Sequence, residues 1–166
     1  NEQLANFAGI DLGPTAVEAG QFFGVWGDTR RTGYKYNWAR SGATSTSMLS
    51  TGQHTGLAAL VAPEVIDYAI IWIGANDYHP LSTAYQSIYF DTWSQAQIDA
   101  HNAMIVANIA TALDTLLTTG VEVVVANIPD YGLAPLVRSF FTDAIGRQRV
   151  FDAIAEANAD LLTVLA

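Results

Sequence analysis

The chain has 166 residues, 51% of them hydrophobic, with sixteen acidic and seven basic side chains giving a formal charge of −9. One domain of this length buries roughly 70% of its unfolded surface, so the composition argues for a packed core and against disorder. Lys35 is the only lysine and Arg30, Arg31, Arg40, Arg138, Arg147 and Arg149 are scattered, so there is no basic stripe to hold nucleic acid or an anionic membrane surface.

The first eight residues, NEQLANFA, have Leu4 and Phe7 at i and i+3 with Gly9 behind them, the pattern of a helix tail whose beginning is missing. Residues 9–33 are rich in Gly, Pro, Thr and Asp and read as a long loop. Tyr34–Trp38 (YKYNW) has the aromatic content of a short strand. Beyond SGATSTS, Gln53–Val61 reads as a short helix and Tyr68–Ile73 as a strand buried on both faces, because its apolar residues run without alternation.

A helix is expected from about Ser94 to Thr119, with Ile98, Ile105, Ile109, Ala112, Leu113 and Leu116 on one face and Gly120 as its stop. VEVVVANI is then a second doubly buried strand. The last helix runs from about Ile145 to Leu165, with Val150, Phe151, Ile154, Leu161, Leu162 and Leu165 on its apolar side. Both apolar strand segments are far shorter than the ~20 residues of a membrane span. Strand and helix alternation predicts an α/β domain over 1–166: a doubly wound, three-layer, flavodoxin-like parallel sheet with helices on both faces.

The polar residues at strand ends are where such a fold keeps its chemistry. In NWARSGATSTS (37–47), Gly42 follows a predicted strand and permits close approach to its N–H; the alternative is a tight turn and a Ser/Thr helix cap. In GANDY (74–78), Gly74 ends the next strand and Asn76 offers a carboxamide, or else forms an Asx-turn. Asp130, in NIPDYG, stands at the end of a third segment and either rims the same crevice or turns the chain. Tyr78 and His79 lie at the expected mouth, where His79 either lines a substrate pocket or is an exposed loop histidine, and Tyr78, Tyr85, Tyr89 and Phe90 form either a lid or ordinary packing.

NWARSGATS resembles the N-x-A-x-x-G-A block, and IGANDY the G-x-N-D block, of the SGNH (GDSL-type) hydrolases, a family of esterases, lipases and carbohydrate deacetylases. VEVVVANIPDYGLAP is similar to the family's fourth strand with its loop, and AEANADLL to its late helix, so the likeness spans nearly the whole chain in order and spacing. It implies serine-dependent acyl transfer from a small-molecule or carbohydrate ester to water, without a cofactor. It carries over at two positions only: Gly42, through its N–H, and Asn76, through its side-chain amide, would be two of three oxyanion donors. Tyr78 and Asp130 are expected as substrate-binding residues from their positions at the crevice, not from the resemblance.

Two of the family's blocks are absent from these 166 residues: the G-D-S block with its nucleophile and the D-x-x-H block with its Asp and His. The expectation is therefore a domain cut at both ends, inactive by itself, or a non-catalytic ligand-binding or remnant domain. Ser41, Ser45 and Ser47 near His54 read as helix caps, not as a substitute triad. His101 reads as a solvated helix residue and Asn158 as a satisfied amide on the last helix. Three scattered histidines without i, i+4 pairing and no cysteine give no metal site. Low lysine and high acidity are associated with extracytoplasmic proteins. The number of subunits is not legible in the sequence.

Overall fold

A computed structural model describes Phe7 and residues 9–165, and the expected helix tail over residues 1–8 lies outside them apart from Phe7. In chain order the elements are α1 (Ser45–Ser50), α2 (Gln53–Glu64), β1 (Tyr68–Ile71), α3 (Thr83–Tyr89), α4 (Gln95–Leu117), β2 (Glu122–Val125), α5 (Pro135–Phe140) and α6 (Ala144–Leu165), with 3₁₀ turns at Phe22–Gly24, Ala75–Tyr78 and Tyr131–Leu133. The fold is mixed α/β: β1 and β2 form a two-stranded parallel sheet in which Ala69 faces Val123 and Ile71 faces Val125.

The long helix α4 joins the two strands and sits where the sequence placed it. At its start Gln97 Oε1 accepts from the Ser94 N–H at 2.9 Å and from its hydroxyl at 3.1 Å, and Gly120, at φ +83°, turns the chain after its end. Its buried face carries Ile105, Ile109, Ala112, Leu113 and Leu116, as the 3.6-residue period requires. It packs on one face of the sheet and against α1, α2 and α6.

The strands depart from expectation. Both were read as buried on two faces, but Ala69 and Ile71 point into the core while Tyr68, Ile70 and Val124 are exposed, as is Trp72 just past β1. Among the described residues helices cover only one side of the sheet, and on the other side the apolar residues of this continuous run stand exposed. The expected strand at Tyr34–Trp38 is also absent. Tyr34 forms one antiparallel bridge with Thr15, and the N–H groups of Lys35 and Tyr36 reach the carbonyls of Pro14 (2.9 Å) and Leu12 (3.0 Å). Without a sheet strand alongside, the segment pairs with the preceding loop. That loop is held by Arg30, whose guanidinium lies between the Trp26 and Trp38 rings at 4.3 and 4.5 Å and pairs with Asp28.

Helix α6 also shows a shifted face. Val150, Ile154 and Leu161 are buried, but Phe151, Leu162 and Leu165 are exposed, and the interface is completed by Gly146, Ala153 and Ala157. Small residues let α6 approach α3 closely: a Cβ on Gly146 would stand 2.8 Å from the backbone oxygen of Tyr89. Hydrophobic size alone therefore misplaced the stripe.

Candidate functional site

The abrupt end of β1 has a steric cause. Gly74 takes φ +98°, and a Cβ there would meet Ile128 Cγ1 at 2.7 Å, so both conformation and space demand glycine. The 3₁₀ turn that follows brings Asn76 and Asp77 back toward the start of α1. Asn76 Nδ2 donates to the carbonyl of Ala43 at 2.9 Å, and the Tyr131 hydroxyl makes a long 3.5 Å contact to Asn76 Oδ1. These two partners fix the orientation of the amide and leave one Nδ2 hydrogen to offer.

Asp77 is buried and accepts twice from Ser45, once from its N–H and once from its hydroxyl, both at 2.8 Å. Ser45 Oγ in turn accepts from Asn108 Nδ2 at 3.0 Å. Three hydrogen bonds thus join segment 76–77 to segment 43–45. Desolvation pushes the Asp77 carboxyl above its ordinary range, against the opposing pull of the Ser45 hydrogen bonds and of His101 nearby. The sequence displayed Asp77 beside Asn76 but gave no sign that its partner was Ser45, 32 positions upstream.

Gly42 stands beside this staple. It is exposed at φ +78°, its N–H makes no hydrogen bond to the described residues, and it lies within two peptide units of the Ala43 carbonyl that Asn76 holds. Thr44 and Ser47 form a reciprocal capping pair at the start of α1, which accounts for the hydroxyl-rich segment as helix capping.

A cleft of about 300 Å³ opens at the carboxyl ends of both strands, lined by Arg40, Ala43, Trp72–Asn76 and Pro129–Tyr131. A second hollow, of about 450 Å³, lies at the opposite ends of the strands, around Asp67 and Glu122. The first has the placement expected of a ligand site in an open α/β sheet, and it is mainly apolar with a few convergent polar groups.

Comparison of the chain with protein-family models, curated proteins and solved structures finds no match.

Of the residues expected at a crevice, Asn76 and Asp130 line this cleft and Gly42 adjoins it through Ala43. Asp130 is also the turn former of the alternative reading, since its carboxylate accepts from the Gly132 N–H at 2.6 Å. Asn158 holds that wall from behind, accepting from the Ile128 N–H at 2.8 Å and donating to its carbonyl at 3.0 Å, which continues the ladder past β2 with a side chain.

Tyr78 requires correction. It was expected at the substrate mouth, but the 3₁₀ turn sends it inward, fully buried, with its hydroxyl hydrogen-bonded to Asn102 and its pKa driven up by burial. His101, expected in solvent, is half-buried with its ring edge-on to Tyr78 and Trp93, and desolvation lowers its pKa. His79 packs on Tyr131 at 5.6 Å without lining the cleft. Tyr85 and Tyr89 are core residues, not a lid. Among the described residues no three acidic or histidine side chains cluster as a metal site, and no helix is long and apolar enough to cross a membrane.

Proposed function

We propose that the cleft is the oxyanion-holding part of an acyl-transfer site of the serine ester hydrolase type, with a small-molecule or carbohydrate ester as its ligand. The observation that supports this reading is the hydrogen bond from Asn76 to the Ala43 carbonyl, which holds a carboxamide with one remaining donor against the residue that follows Gly42, whose own N–H has no acceptor among the described residues. Tetrahedral acyl intermediates need fixed donors of this kind, each typically responsible for roughly 10²- to 10³-fold in rate. A nucleophile and a proton-shuttling histidine complete such a site, and no G-D-S or D-x-x-H sequence stands in these 166 residues. The chain by itself is therefore expected to bind and not to turn over.

The same reading includes the complete three-layer, doubly wound sheet. The exposed apolar face at Ile70, Trp72 and Val124 supports it, because a doubly wound architecture would cover that face.

The test is a titration of ¹⁵N-labelled protein with methyl butylphosphonate, whose phosphoryl oxygens imitate the oxyanion of ester hydrolysis. The Gly42 backbone amide and the Asn76 side-chain amide should move together, and Asn76→Ala should abolish the response. Saturation elsewhere on the surface, or a response of Gly42 that survives Asn76→Ala, would overturn the proposal.

A further inference from the structure

We infer that the cleft selects a ligand bearing a single carboxylate, recognised by Arg40. This rests on the cleft being the ligand site proposed above and adds to it the charge of the ligand. Arg40 is half-buried on the cleft wall, yet among the described residues its guanidinium has neither a carboxylate within 4.0 Å nor a hydrogen-bond acceptor.

The other cations are accounted for differently. Arg30 pairs with Asp28, Lys35 with Glu64 at 2.6 Å and Arg149 with Asp91 at 3.2 Å; Arg147 donates to the Phe141 carbonyl at 2.6 Å; Arg31 and Arg138 are exposed. On a chain of net charge −9, acidic partners are plentiful, yet among the described residues Arg40, a half-buried residue of the cleft lining, has none. A partly desolvated cation without a counter-ion is costly, and a ligand that supplies the counter-ion removes the cost.

The fork of a guanidinium matches a carboxylate or phosphate in bidentate geometry. Asp130 on the same cleft decides between them. Its carboxylate is engaged by the Gly132 N–H and forms no ion pair with Arg40, so it repels a dianion more than a monoanion. A carboxylate satisfies Arg40 with the least repulsion from Asp130.

The test compares three esters of similar size by the same amide titration: monomethyl succinate with one carboxylate, dimethyl succinate with none, and methyl 3-phosphonopropionate as a near-dianion. Wild type should bind monomethyl succinate about 10-fold more tightly than dimethyl succinate, in line with a charge-assisted hydrogen bond. Added salt should shrink that ratio. Arg40→Gln should bring it to about one.

Equal affinities for the two succinates in wild type, a preference that persists in Arg40→Gln, or tightest binding by the phosphonate would each overturn the inference. If methyl butylphosphonate fails to move Gly42 and Asn76, the site itself is wrong; if it moves them and the succinates bind alike, only the carboxylate preference falls.

Discussion

Replacing Asp77 separates shape from charge in the staple between segments 43–45 and 76–77. In Asp77→Ala the buried N–H of Ser45 loses its acceptor at 2.8 Å and the Ser45 hydroxyl loses a second one at the same distance. An orphaned buried donor costs about 1–3 kcal/mol. The lost side-chain volume in a close-packed region adds on the order of 1 kcal/mol. Asp77→Ala is therefore expected to lower stability by about 2–4 kcal/mol. Asn at this position keeps the volume and an acceptor for the Ser45 N–H but offers the Ser45 hydroxyl a donor in place of an acceptor, so Asp77→Asn should cost less than Ala, about 1–2 kcal/mol.

The pH dependence follows from the raised pKa. Below its ordinary value of 3.8 the carboxyl is protonated in folded and unfolded chains alike, and its contribution to stability is fully present. As pH rises through the higher folded value, the folded chain must ionise a desolvated group and that contribution is lost. His101 and Tyr78 also face Asp77; the lowered pKa of His101 acts with the opposite sign, and Tyr78 titrates far higher. Because Asp77 is itself one cause of the His101 shift, the difference between wild type and Asp77→Asn reads the carboxyl together with its coupling to His101.

Urea unfolding followed by tryptophan fluorescence from about pH 3.5 to 8 measures these quantities, since a slope of about 1–3 kcal/mol/M converts the Ala penalty into a midpoint shift of roughly 1 M or more. Asp77→Asn should gain on wild type as pH rises through the window. The reasoning fails if Asp77→Ala unfolds within about 0.3 M of wild type, or if Asn falls as far as Ala.

Gly146→Ala should destabilise α6 by about 1–3 kcal/mol, although alanine is ordinarily the better helix former by about 1, because its methyl meets the Tyr89 carbonyl at 2.8 Å; thermal unfolding checks the sign. Asn158→Ala removes both hydrogen bonds to Ile128 and should cost about 2 kcal/mol, with amide shifts reaching residues 130–132 on the cleft wall. Replacing Ile70 and Trp72 together by serine should change stability by no more than about 1 kcal/mol in urea unfolding, because both are exposed; a loss as large as that of a core truncation would mean the face is covered.

What could be read from residues in order was what local periodicity and punctuation decide. Helix α4 shows this, with its Ser94 start, its Ile105–Leu116 stripe and its Gly120 stop, because each signal lies within the element that it shapes. The stop after β1 was legible in the same way, since Gly74 is required by the conformation of its own residue as well as by Ile128.

What stayed hidden depends on who the neighbour is. An unbroken apolar run describes how Ile70 and Val124 would behave under cover, and cannot say whether a covering layer is present. Tyr78 looked like a cleft residue because it follows Asn76 and Asp77 past the end of the strand; a single 3₁₀ turn sends it into the core. Ser45 had the appearance of a helix cap, and its bond to a carboxylate 32 residues away is a tertiary fact with no local trace. Asn76 was the intermediate case: its type and position at a strand end marked it for the cleft, but only the carbonyl of Ala43 and the hydroxyl of Tyr131 decide which way its amide points, and hence what it can donate to.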